Sequence, residues 1–479
     1  MKKDVDMRPQ AKAPFFEAAS YMIGNVGSGI VQIFVATYLT IYYTNVAGIN
    51  AALAGTIIAV SKLFDGLSDI LMGHLLNNTR SKWGKARPWL LRIAIPTALC
   101  LVLAFSVPAS MGATAKIAYV FITYNLLNTV CYTALAIALS ALGGYITENQ
   151  KQRGFFGGVA MLLSIICNTV MATTILKIAQ YFGGGDSFSQ KGWTAMVIIY
   201  GIIIAVTTLI GFLFTNERVT MANMELEAKG REETTEAEQP AQAKIGFWKS
   251  IKALLTNKYF LIFVISMVMV TLNGTFGSTA MYYAQYILGD EMLFTPLNNI
   301  KTIVALVGVA LGFVGMAKFK KRNLVIVGMV TLIIGLVFPV FGPENTTILY
   351  IGAAIAGVGT GLAGCVLPGM LKDTLTYGQW KSGFDMMGTG SAGLSFSMKI
   401  AGSLGSLLLG WTMSLTHFVE KAPTQSASAI FGLKLMYIWI PAILMVIALV
   451  SMLKYDLDDR YDEIVADLAE GKTAADREK

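Results

Sequence analysis

Three oxygen-bearing side chains crowd into one stretch of an otherwise apolar run, Lys62-Leu-Phe-Asp65-Gly-Leu-Ser68-Asp69. Asp65, Ser68 and Asp69 stand at i, i+3 and i+4, so a helix puts all three on one face. Counted from Ala51, Asp65 lies about 21 Å along such a helix at 1.5 Å per residue. That is deep in any membrane the helix crosses. A charge there costs at least about 2.5–3.5 kcal/mol, and two carboxylates one turn apart also repel. A bound cation, a proton or a lysine would relieve the cost. Carboxylate and hydroxyl oxygens suit hard cations, so the face reads as a coupling-ion site, with Na+ or H+ as the ion and Na+ held by Asp65 and Asp69. The plainer reading is a structural ion pair between Asp65 and Lys62.

Lys399, in Ser395-Phe-Ser-Met-Lys399-Ile-Ala-Gly, is the second intramembrane charge. From mid-helix it cannot reach water by extending its stem, so it should face a wet cavity or a carboxylate. It is expected to be a counter-charge to Asp65 or Asp69 that is released when the ion binds; a fixed pair is the alternative. The loop Asn77-Asn-Thr-Arg80-Ser-Lys-Trp-Gly-Lys85-Ala-Arg87-Pro88 carries a dense positive charge. Topology alone accounts for that charge. Gly84 and Pro88 add the punctuation of a shaped turn, and Arg80, Lys85 and Arg87 are expected to gate one mouth of the protein by pairing with Asp373. His74 reads as a polar anchor near a helix end. There is no Walker loop, nucleophile elbow or zinc spacing, and an enzyme is not expected.

These residues need helices to hold them. Hydrophobic residues make up 55% of the 479 and charged residues 14%, against about 25% charge in a soluble domain. Apolar windows long enough to cross about 30 Å of hydrocarbon fall near 18–44, 51–77, 89–109, 115–146, 155–182, 193–215, 258–288, 297–317, 323–342, 348–372, 386–416 and 430–453. The fourth and eleventh look over-long, which implies tilt or extension beyond the bilayer. The fold class is therefore an all-α membrane protein of about twelve transmembrane helices in two six-helix bundles. Its divisions are residues 1–215, a linker 216–257, residues 258–453 and a tail 454–479.

Lysine and arginine gather in alternate loops, which places both termini and the linker in the cytoplasm by the positive-inside rule. The net charge of +8 then reflects loop bias, not nucleic-acid binding. The four cysteines sit in separate apolar stretches and read as packing residues. Met1 to Glu17 shows no apolar core with a cleavage site, so the first span should anchor the chain. Six spans on each side of a central loop is the layout of two-bundle transporters with a midplane site. The expected protein is a monomer in the bacterial inner membrane. Its partners are the lipid bilayer, a small solute and a monovalent cation, and it needs no cofactor.

The same residues carry a family resemblance. The runs Tyr42-Tyr-Thr-Asn-Val-Ala-Gly, Phe64-Asp-Gly-Leu-Ser-Asp, Asn78-Thr-Arg-Ser-Lys-Trp-Gly-Lys-Ala-Arg-Pro-Trp, Tyr282-Tyr-Ala-Gln-Tyr-Ile-Leu-Gly-Asp and Met370-Leu-Lys-Asp-Thr-Leu-Thr-Tyr-Gly-Gln-Trp-Lys resemble the glycoside–pentoside–hexuronide:cation symporter family of the major facilitator superfamily. That family includes the melibiose permease. The resemblance implies symport of a sugar, glycoside or uronide with Na+ or H+, and the major facilitator fold. It implies that Asp65, Asp69, Ser68 and Thr133 surround the cation and that Lys399 links ion and solute. Where the melibiose permease places its sugar ligands, this chain has Gly29, Ala136, Ser140 and Met161. That swap points to a roomier, less acidic pocket, with Asn25, Gln32, Tyr124 and Tyr132 as the remaining polar candidates. A carrier of lipids or other amphiphiles is the alternative such a pocket raises.

Overall fold

The computed structural model describes residues 13–147, 150–219, 252–316, 318–383, 387–470 and 472–474. It divides into two units, residues 1–240 and 241–479. Among the described residues there is no strand, and twelve helices are long and apolar enough to cross a membrane. In the first unit, spans one to six are Phe15–Val46, Ala51–Leu76, Arg87–Ala104, Ala113–Ile146, Leu163–Phe182 and Gln190–Phe214. In the second, spans seven to twelve are Lys258–Tyr286, Glu291–Met316, Lys321–Phe341, Thr346–Ser382, Thr389–Leu415 and Ala427–Asp459. The twelve-helix, all-α expectation holds.

Local chemistry starts and stops these helices. Asn50, Ser189, Asn257 and Asn345 accept backbone N–H bonds at the heads of spans two, six, seven and ten, satisfying donors that a helix leaves open. Span ten, read from hydropathy as 348–372, runs on to Ser382 and is the longest at 37 residues. Hydropathy marks where the chain leaves lipid, not where the helix ends. The end comes at Gly383, which is left-handed at φ 77°, the conformation glycine adopts most cheaply. Span eleven, expected to be over-long, is 27 residues. Most of the linker expected at 216–257 lies outside the described residues. The tail does form a short helix, Tyr461–Ala469, whose Ile464 is buried in the core of the second unit.

Small residues bring the second unit's helices together. A side chain added at Gly308, Gly335, Gly357, Gly359 or Gly361 would collide with backbone of a neighbouring span. Spans eight, nine and ten thus meet backbone to backbone, the close approach that glycine allows in lipid. In the first unit Gly24 and Gly211 do the same between spans one and six, with 3.2 Å from the added carbon to the opposing Cα.

Each unit is also clamped at the end that bears the basic loops. In the first, the Glu217 carboxylate accepts from the backbone N–H groups of Lys85, Ala86 and Arg87 at 2.7–2.8 Å. It caps the head of span three. Arg218 pairs with Glu17 at 2.5 Å, both side chains buried, and also donates to the Ile146 carbonyl. In the second unit Asp458 accepts from the Arg322 N–H at 2.8 Å. Around it, Lys258 pairs with Asp456 and Lys320 with Asp459, all four side chains about half exposed.

Candidate functional site

Span four is not a plain α-helix. Over Asn125–Tyr132 its backbone bonds run i→i+5, a π-helical segment between α-helical arms Ala113–Tyr124 and Thr133–Ile146. Such segments are rare and cluster at functional sites. The wider turn rotates Asn125, Asn128, Thr129 and Thr133 toward span two. Asp65 is buried there. The Asn128 amide donates to its Oδ2 at 2.7 Å, and the Thr129 hydroxyl to its Oδ1 at 2.6 Å. Asn125 ties the arrangement together, donating to Ser61 at 2.8 Å, with its Oδ1 3.1 Å from the Thr129 hydroxyl.

One turn along, the oxygens stand further apart. The Ser68 hydroxyl donates to the Asp65 carbonyl at 3.0 Å and lies 3.3 Å from Thr133 Oγ1. Thr133 Oγ1 is 3.4 Å from Asp69 Oδ1. These separations exceed the 2.7–2.8 Å of an ordinary O–H···O bond. Asp65, Ser68, Asp69 and Thr133 are therefore brought together by the fold. Tyr132 joins them from span four, within electrostatic reach of both carboxylates and bonded to Ser28. Tyr124 is near Asp65, and its buried hydroxyl has no hydrogen-bond partner among the described residues. Lys62 is half-buried and feels the charge of Asp65. Among the described residues no three of His, Cys, Asp and Glu gather as a metal site.

The remaining candidates are placed elsewhere. Asn25 is half-buried and spends its amide on the Tyr21 carbonyl of its own helix, at 2.9 Å. Gln32 is exposed. Around Gly29 a side chain would meet open space. Ala136 is half-buried and Ser140 exposed; the side chain of Met161 lies outside the described residues. Lys399 is half-buried in span eleven of the second unit. Asp373, expected to pair with Arg80, Lys85 and Arg87, already has an ion-pair partner in its own unit, Lys321 at 2.5 Å. Arg87 directs its guanidinium at the Phe212 carbonyl, 2.9 Å away, while Arg80 is exposed. His74 is exposed and bonded to Asn78. Two of the cysteines read as separate, Cys100 and Cys131, touch at 3.6 Å.

Sequence reasoning missed Asn125, Asn128 and Thr129. The signal was there as a polar cluster, Asn125-Leu-Leu-Asn128-Thr129, inside an apolar span. It also missed Lys301, a lysine well inside span eight.

A twelve-span, two-unit helical protein of this kind has known counterparts. A family model described as MFS/sugar transport protein matches residues 20–459. The chain belongs to this family. As an MFS sugar-transport protein it is a transporter and not an enzyme, and the glycoside–pentoside–hexuronide resemblance is met. The isoprimeverose transporter of Lactiplantibacillus pentosus is 28% identical over 458 residues, 95% of this chain and 91% of that one. The inner membrane symporter YicJ of Escherichia coli is 28% identical over 464 residues, 95% of each. Among solved structures, a D-xylose-proton symporter superposes with a TM-score of 0.64 at 13% identity, over 92% of this chain and 97% of that one. That likeness shows the fold, which is the major facilitator fold. The chain is thus a multi-pass membrane transporter of the sugar and glycoside class.

Proposed function

We propose that this transporter is a cation-coupled symporter of a sugar or glycoside, with the ion held between spans two and four. The observation that carries the reading is the spacing of Ser68, Thr133 and Asp69. A hard cation with metal–oxygen distances of about 2.4 Å sets neighbouring ligands of an octahedral shell about 3.4 Å apart. The 3.3 and 3.4 Å separations here are compatible with that edge length, so the oxygens suit a metal cation such as Na+, while the carboxylates could equally take up a proton. Asp65, held by Asn128 and Thr129, supplies a second anionic charge one turn away. The unpartnered Tyr124 hydroxyl suits a water of the ion's shell. Binding of cation and solute then favours each other through a shared coupling free energy, as a symporter requires. The names of the isoprimeverose transporter and of the YicJ symporter agree with this class. The bias of Lys and Arg favours both chain ends on the cytoplasmic side.

The test is uptake into proteoliposomes with and without an inward Na+ gradient. Asp69→Asn should abolish Na+-stimulated uptake, and Asp65→Asn should do the same or leave a small remnant. Undiminished Na+ stimulation in both variants would sink the assignment. Stimulation by an inward proton gradient alone would keep symport and replace the ion.

A further inference from the structure

Spans two and eight are the second helices of their units, and each carries a lysine at nearly the same depth. Lys62 stands eleven residues from Ala51 and Lys301 ten residues from Glu291, about 15–17 Å along either helix. That is close to the middle of the hydrocarbon and too far for a lysine stem to reach the near surface. Lys62 has acids beside it, with Asp65 one turn on. Lys301 has none: along its own helix the next turn is Val304 and Ala305, and among the described residues no charged group acts on its ammonium.

Lys301 stands on the face of span eight whose backbone meets span ten. It heads the stripe Lys301, Ala305, Gly308 and Gly312, along which span eight lies against span ten. The Lys301 carbonyl abuts Gly357, the Ala305 carbonyl abuts Gly361, and Gly308 meets the Val358 carbonyl. One turn toward the helix head, Leu297 packs with Tyr283, Leu349 and Ala353. The lysine is thus set inside the second unit and half-buried. A half-buried cation at mid-span depth, on which no carboxylate acts among the described residues, is costly to keep; such charges mark substrate paths.

We infer that the Lys301 ammonium is the docking point for an anionic group, a carboxylate or sulfonate, on the transported solute. This rests on the chain being a solute carrier. Spans two and eight then divide the work by charge: carboxylates of the first unit take the cation, and the ammonium of the second takes the anion.

The experiment compares binding of a matched pair, phenyl β-glucuronide and phenyl β-glucoside, to the full-length protein in nanodiscs of zwitterionic lipid. The wild type should bind the glucuronide more tightly, by about tenfold or more, the factor that pairing of a desolvated charge commonly supplies. Lys301→Met should erase that preference, bringing the two affinities together, and a monodisperse size-exclusion peak reports that the variant is folded. Lys301→Arg should retain the preference. A preference that persists in Lys301→Met overturns the inference, as does a wild type that binds the glucoside at least as well. In the latter case the transporter reading survives; binding of neither compound, with or without Na+, counts against both. A parallel series with phosphatidylglycerol in the nanodisc separates the other source of an anion. If that lipid stabilises the wild type but not Lys301→Met, and the solute preference is untouched, Lys301 serves a lipid headgroup and the inference is wrong.

Discussion

Spans two and four of the first unit meet across side-chain oxygens, whereas spans eight and ten of the second meet across bare backbone. On one side Asp65, Asn128, Thr129, Ser68, Thr133 and Asp69 leave gaps of 2.6 to 3.4 Å between polar atoms. On the other, glycines at 308, 357 and 361 close the gap entirely. The two helix pairs are held in different ways, although the first unit has its own glycine contact between spans one and six. Polar contacts can be exchanged for an ion's ligands at little cost in packing. Glycine contacts cannot be exchanged for anything, and they set a rigid frame. The clamps differ in the same sense. Arg218–Glu17 is sealed in the first unit, while Lys258–Asp456 and Lys320–Asp459 stand in water in the second.

The contrast can be broken most severely at Gly361. Valine there drives a branched carbon into the Ala305 carbonyl, and backbone cannot yield as a side chain can. We expect Gly361→Val to cost several kcal/mol, beyond the 1–3 kcal/mol typical of overpacking. In fluorescence-detected size-exclusion chromatography little folded protein should remain. A normal monodisperse peak would show that spans eight and ten slide freely.

Next comes the sealed clamp. Removing one partner of a buried pair leaves the other charged and unmatched, at about 3–5 kcal/mol. Arg218→Ala should therefore lower the thermal unfolding midpoint clearly. Glu17→Gln with Arg218→Met should recover part of the loss, because the double change removes both charges. If the single variant unfolds like the wild type, the pair carries no stability.

Thr129→Val sharpens the comparison on its polar side. It keeps the shape of the side chain and removes a hydrogen bond to a charged oxygen, worth about 1.5–3 kcal/mol. Cation affinity, read by Na+-dependent thermal shift, should fall about tenfold or more, while the packing of spans two and four persists. An unchanged Na+ response would detach the π-helical segment from ion binding.

The smallest effect is expected at the exposed clamp. Lys258→Ala removes a half-exposed pair, worth about 0–1 kcal/mol, so the unfolding midpoint should stay within a degree or two of the wild type. A drop as large as that of Arg218→Ala would erase the distinction drawn between the two clamps.

Much of this was legible in the chain itself. Length and hydropathy are local properties, so windows of apolar residues revealed twelve spans with errors of a few residues at the ends. The largest error was at span ten, where a polar helix continues beyond lipid. The i, i+3, i+4 spacing of Asp65, Ser68 and Asp69 is local too, and it named the carboxylate face before any neighbour was known. The partners of that face were another matter. Thr133 entered through family resemblance, and Asn128 and Thr129 were passed over although they stand in plain view.

The reason is one of phase. In a regular α-helix residues 128 and 133 lie five apart, on different faces. The i→i+5 turn over Asn125–Tyr132 brings them round to the same side, and the Thr133 hydroxyl reaches the Asn128 carbonyl at 3.4 Å. Residue order carries no mark of that extra rotation; it is chosen when span four packs against span two. The Glu217 cap and the Arg218–Glu17 pair are equally out of reach of spacing rules, since they join residues some 130 to 200 positions apart. So the amino-acid order determined the number of membrane helices and which of them bears the acids, because both follow from short-range pattern. Packing alone settled which helix faces those acids, in what rotation, and where each unit is sealed, because these depend on surfaces that meet only after the chain has folded.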